Sequence, residues 1–268
     1  MIHVYTPETF IARATEGPCD WPANSRASHK KDRERKQFTE CASMAACVKL
    51  AKAGWPEGAA RFTQYADAFA PHLENKRRRI AGADVFGDEL NPVAYAQGAR
   101  NVFDVYTKKP RVKRMHNLVV NTGRPHYVGT ESAIRFFAGL AGFLRGLEET
   151  GHSVAVTVAS SNRTGSESVP VIEWRLLVKA HGERMHDSLL AFWLCHPAVL
   201  RRLGFAVRET LIPWNDGGRA HSQDYGFTQA VTTEGDEVAT PLLNKSTLEQ
   251  FDASPAQYWP EWWAARMK

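Results

Sequence analysis

Leu118 to Ser132, LVVNTGRPHYVGTES, sets a polar loop between a short apolar run and the opening of a helix. Many α/β proteins gather anions or metals at such a junction, because free N–H groups and the helix dipole converge there. A Walker loop needs GxxxxGK[ST] and a dinucleotide site needs GxGxxG. Neither occurs in this stretch, so a phosphate cradle is not expected. Thr130 or Glu131 reads as a helix cap.

Other residues with chemical capacity fall short of a site. HGERMHD (His181 to Asp187) lacks HExxH, its two histidines do not share a helix face, and HxE at His181 to Glu183 has no PCxxC partner; it reads as a surface turn. Cys195 and His196 are sequence neighbours and do not readily form a nucleophile–base pair. Ser160 and Ser161 end a strand without a GxSxG elbow. An enzyme built on this chain would draw on Asn121, His126, Ser160 and Ser161. Binding is the expected role, with no cofactor and no metal.

Charge is segregated. Asn24 to Gln37, Lys76 to Arg79 and Lys108 to Arg114 carry net +4, +4 and +5, so the rest of a chain of net charge +5 carries about −8. Dense Lys and Arg neutralise phosphates, which makes nucleic acid the expected partner. The contacts expected are Lys30, Lys31, Arg33, Arg35, Lys36, Lys108, Lys109, Arg111, Lys113 and Arg114, and Arg201 and Arg202 could join the same face. The alternative is a protein partner held by Asn121, Thr122, His126 and the rings of the tail YWPEWW, Trp259, Trp262 and Trp263. That tail could equally seal its own core.

Cys19, Cys41, Cys47 and Cys195 show no CxxC pair, and no signal peptide is apparent, so free thiols in a reducing, cytoplasmic or virion setting are expected. Cys41 and Cys47, six apart in one predicted helix, should face apart. No apolar run approaches the ~18 residues of a membrane span.

The elements that would position these groups follow from periodicity. Residues 1–38 read as an N-terminal arm. A helical region, 39–106, opens with Thr39 capping ECASMAACVKLAKAG, where Cys41, Met44, Val48 and Ala51 form one stripe and Gly54 is the stop. After the turn GWPEG a second helix covers Ala59 to Leu73, and 82–106 reads as a loose connection. From 107 to 268 an α/β domain begins. RVKRMHNLVVN is a strand, Glu131 to Thr150 a helix, Ser153 to Ser160 a strand and Val169 to Ala180 another. Strand, crossover helix and strand imply a right-handed βαβ unit with a parallel pair. Gly139, Gly142 and Gly146 inside that helix each cost roughly 1 kcal/mol against Ala, which implies close packing on another backbone. Asp187 or Ser188 caps LLAFWLC, His196 caps PAVLRRLGFAVRE with Leu200, Leu203 and Phe205 turned inward, and 211–235 reads as loop.

This order of elements resembles a von Willebrand factor A domain, in which the first strand leads into D-x-S-x-S, a metal-ion-dependent adhesion site, and then a long helix. The matching positions here are Asn121, Gly123 and Pro125, which lack the ligands a hard divalent cation prefers. The resemblance implies an open, mostly parallel sheet flanked by helices, with the metal site incomplete. GWPEG (Gly54 to Gly58), LEETGHSVAV (Leu147 to Val156) and HPAVLRR (His196 to Arg202) also resemble an uncharacterised family encoded by tailed phages and mobile elements. That implies a phage setting, in replication or packaging, and no activity.

Overall fold

In a computed structural model, residues 1–17, 19–22, 26, 28, 39–69, 80–84, 89–106, 114–163, 171–184, 186–212, 214 and 227–267 are described. The first is already sheet. Strand β1 (Ile2–Tyr5) runs parallel to β7 (Ile172–Lys179), so the expected arm supplies the edge of the main sheet. Thr6 then caps α1 (Pro7–Glu16) in a reciprocal box with Thr9, and Pro7 sets the first turn. Phe10, Ile11 and Ala14 turn inward.

Helix α2 (Met44–Ala53) is capped by Ser43, not Thr39, and ends at Gly54, whose φ of 86° only glycine adopts readily. Thr39 Oγ1 instead donates to the Cys41 carbonyl at 3.1 Å, so Cys41 lies ahead of the helix and its thiol meets that of Cys47. The two do not face apart as the helical spacing implied, and all four cysteines are free. Helix α3 (Pro56–Phe69) begins on Pro56 inside the expected turn. The stretch read as a loose connection forms a small antiparallel sheet of β2 (Ile80–Asp84), β4 (Phe103–Tyr106) and β3 (Glu89–Leu90), with α4 (Pro92–Ala96) capped by Asn91.

The main sheet is built on β5 (Arg114–Asn121), α5 (Thr130–Glu149) and β6 (His152–Arg163). β5 and β6 pair in parallel from Arg114↔His152 to Asn121↔Ala159, as the crossover helix implied. β7 then returns antiparallel to β6. With β8 (Phe227–Gln229) antiparallel to β6 and β9 (Glu237–Ala239) parallel to β5, the path is β1-β7-β6-β5-β9 with β8 beside it. The result is an open, mixed, mostly parallel six-stranded sheet with nine α-helices among the described residues.

Side chains two apart on a strand share a face. Leu118, Val120, Val154, Val156, Val158, Trp174 and Leu176 join one large core with α1, α2, α3 and α5. That core also takes α6 (Asp187–Leu190), which runs into π-helical turns at Ala191–Cys195, and the turns Val199–Gly204 that lead into α7 (Phe205–Leu211). Leu200, Leu203 and Phe205 turn inward as expected. The opposite face carries only a small cluster, Val119, Ala159 and Val231. There Glu173 and Arg175 of β7 bind the start of β9 and the segment before it: Arg175 donates to Glu173 at 2.7 Å, to both oxygens of Glu237 at 2.9 and 2.8 Å, and to the Thr232 carbonyl at 2.5 Å.

The tail folds as α8 (Lys245–Ala253), capped by Asn244, and α9 (Pro255–Ala264). Gly139 of α5 faces the rings of Phe251 and Trp259 and not another backbone: a Cβ there would stand 2.9 Å from Phe251. Among the described residues no single helix is long and apolar enough to cross a membrane.

Candidate functional site

At the carboxyl end of β5, hydrogen bonds close the loop that the sequence singled out. Asn121 is fully buried, and its Oδ1 accepts from the Gly123 N–H at 3.0 Å. Its Nδ2 donates to the Gln229 carbonyl at 2.9 Å, and its backbone N–H donates to Thr240 Oγ1 at 2.9 Å. Thr122 returns its N–H and hydroxyl to the Ala159 carbonyl at 2.9 and 3.1 Å. Thr228 of β8 stands against Gly123, where a Cβ would meet its methyl at 3.2 Å. Asn121 thus fastens the end of β5 to Gln229 of β8 and to Thr240 just past β9. Among the described residues no three or more His, Cys, Asp or Glu side chains are grouped to hold a metal.

The capping position of helix α5 is Gly129, which has no side chain to offer, so neither Thr130 nor Glu131 serves as the cap. Thr130 Oγ1 donates to Glu40 at 2.5 Å, while Glu131 pairs with Arg61 at 2.6 Å and accepts from Tyr65 at 2.8 Å. Glu40 has a φ of 50°, the one positive value at a non-glycine among the described residues. It supplies negative charge to a buried cationic group the sequence did not reveal. Arg124 turns inward and donates to the Cys195 carbonyl at 2.8 Å. Burial, and then the charge of Arg201, push its guanidinium down to about 10. Burial lowers Arg201 too, with Glu40 opposing. Burial followed by Arg124 takes His196 down to about 4, and burial raises the Cys195 thiol, which favours its protonated form. His196 Nδ1 does accept the Ala198 N–H at 3.1 Å, as a cap should.

Arg201 and Arg202 therefore extend no basic surface. Both are buried, and Arg202 donates to the carbonyls of Ser28 at 3.2 Å and Cys41 at 3.1 Å. Of the ten residues expected to meet nucleic acid, Arg114 is exposed at the start of β5. Lys30, Lys31, Arg33, Arg35, Lys36, Lys108, Lys109, Arg111 and Lys113 lie outside the described residues. Trp259, Trp262 and Trp263 are core: Trp259 Nε1 donates to the Phe136 carbonyl at 3.2 Å and Trp263 packs on Phe143. Their rings are not available as an outer contact surface. Ser160 and Ser161 are buried within β6, and no hydrogen bond joins His126 to either. The loop's outward groups are His126 and Tyr127, the latter 60% exposed.

Two other features stand apart from this loop. An open groove of about 540 Å³ and mixed polarity lies between α1, α2 and α6, lined by Ile11, Val48, Leu189 and Trp193 together with Glu16 and Lys52. At the opposite end of the sheet, His116 and His152 share a hydrogen bond of 2.8 Å. Only the β5–β6 register brings them together, and no sequence spacing announces that.

Geometry and topology define an α/β protein with an open, mixed, mostly parallel sheet whose carboxyl-edge loop is filled from within. The chain belongs to the DUF7192 family, a domain of unknown function, which it matches over residues 8–249. No curated protein and no solved structure matches it.

Proposed function

We propose that the protein binds nucleic acid without catalysing a reaction, in the replication or packaging of a phage or mobile element. The contacts are Lys30, Lys31, Arg33, Arg35, Lys36, Lys108, Lys109, Arg111, Lys113 and Arg114. The segregation of charge carries this reading: three short segments hold the excess cations and the remainder is acidic. In support, the buried cations of the sheet are engaged internally, Arg175 by Glu173 and Glu237 and Lys179 by Glu148. A finer fold reading goes with it. The run of β5, polar loop, long α5 and parallel β6 fits a von Willebrand A type of sheet with its ion site lost.

Fluorescence anisotropy with labelled single- and double-stranded oligonucleotides tests the function. About five duplex phosphate contacts give a log–log salt slope near −4.5, roughly a 500-fold loss between about 50 and 200 mM salt. Replacing Lys108, Lys109, Arg111 and Lys113 by Ala should flatten that slope. Absence of binding at low salt would overturn the proposal. It would favour a protein partner at the β5–α5 loop, where Tyr127 is exposed beside His126.

A further inference from the structure

His116 is the third residue of β5 and His152 the first of β6, and since His152 pairs with Arg114 the two imidazoles lie diagonally on one face of the sheet. His116 Nε2 stands 2.8 Å from His152 Nδ1, with the rings stacked at 5.1 Å and 20°. The edge of the pair nearest the C-terminus meets Trp263 of α9, 5.0 Å from the His116 ring at 77°. We propose that this histidine pair is a proton-operated clasp holding α9 to the amino-terminal end of the sheet, closed with at most one proton on the pair and opened when both rings are charged.

A hydrogen bond between two imidazoles needs one N–H and one lone pair. The neutral pair has both, and the singly protonated pair has an imidazolium donating to an imidazole, a charge-assisted bond. A second proton removes the only acceptor and sets two like charges one ring-stack apart. The surroundings oppose that second proton. Arg114 on β5 adds positive charge near both rings, and His181 in the turn after β7, bonded to Asn117 on the other face of the sheet, adds a smaller lowering effect on His116. Asp236, before β9, is the carboxylate in reach, and it accepts from Asn117 Nδ2 at 3.1 and 3.2 Å. That fixes Asn117 Oδ1 as the acceptor of His181 Nε2–H at 3.0 Å, while the buried Nδ1 of His181 has no partner among the described residues. Glu148 at the end of α5 is taken by Lys179, and α9 contributes the uncharged ring of Trp263. Burial, then neighbouring positive charge, lower both histidines. The titration therefore falls below the usual imidazole range.

The test is a side-chain NMR titration of the intact chain from about pH 8 to about pH 4.5 with excess chelator, alongside amide exchange of α9 corrected for intrinsic rate. The two histidines should titrate as a linked pair in two separated steps. Protection across α9 should fall at least about tenfold with the second step. His152→Gln keeps a hydrogen-bonding group but cannot charge, so its α9 protection should change less than about twofold over the same range. Independent single-site curves, or α9 exchange that ignores the second step, would overturn the clasp. The wild-type titration decides even if the variant does not fold.

Discussion

Replacing Arg175 by Met leaves most of the aliphatic stem and removes the charge at the centre of the sheet's second face. The side chain is 4% exposed and binds Glu173, 3% exposed, and Glu237, 22% exposed. Burial disfavours the Arg175 charge, but hydrogen bonds and charge from the two carboxylates outweigh it and leave the guanidinium raised. The two carboxylates differ once the guanidinium is gone. Each also accepts a backbone N–H, Glu237 from Glu234 at 3.0 Å and Glu173 from Thr232 at 2.9 Å, but Glu237 is exposed enough to reach water whereas Glu173 is buried in β7. An uncompensated buried charge of this kind costs about 3–5 kcal/mol, against 0–1 for an exposed ion pair. Urea unfolding at neutral pH should show an unfolding free energy lowered by that amount, read as a lower midpoint at unchanged slope, and a melting temperature down by roughly 10 °C. Adding Glu173→Gln to Arg175→Met should recover about 1–3 kcal/mol, because the stranded charge is gone, while adding Glu237→Gln should recover little. A single variant within about 1 kcal/mol of wild type, or a double variant that is simply additive, would refute the argument that Glu173 is the costly partner.

Acid should weaken the fold in a defined window. His196 lies near 4 when folded and near the ordinary 6.5 when unfolded, so between these values the unfolded chain binds more protons and stability falls as pH falls. The loss is on the order of 3 kcal/mol by about pH 4, and His196→Asn should remove most of it from a series of urea midpoints. Gly139→Ala should destabilise although Ala favours helix by about 1 kcal/mol, because overpacking against Phe251 and Trp259 costs about 1–3 kcal/mol. A thermal melt at or above wild type would show instead that α8 yields.

Much of the framework was legible in local sequence. The apolar run of β5, the helix expected over Glu131 to Thr150 and the strand expected over Ser153 to Ser160 gave a parallel pair, and Gly54 marked where α2 stops. These signals are local because a 3.6- or 2-residue period and a glycine in the left-handed region act within one element. Boundaries set by competing polar groups were less legible. Thr39 could cap a helix by type, yet it bonds Cys41, and the helix waits for Ser43.

What the sequence alone could not decide was where distant residues meet. Arg201 and Arg202 read as part of a basic face until the chain buries them, and Trp259, Trp262 and Trp263 read as a possible contact surface until α9 lies on α5. Residues 2–5 became sheet because β7 offered an edge, and His116 met His152 because β5 and β6 pair in one register. A charge or ring has the same local signature whether it ends in water or in the core. Only the tertiary fold sets its desolvation and its partners, and those determine its chemistry.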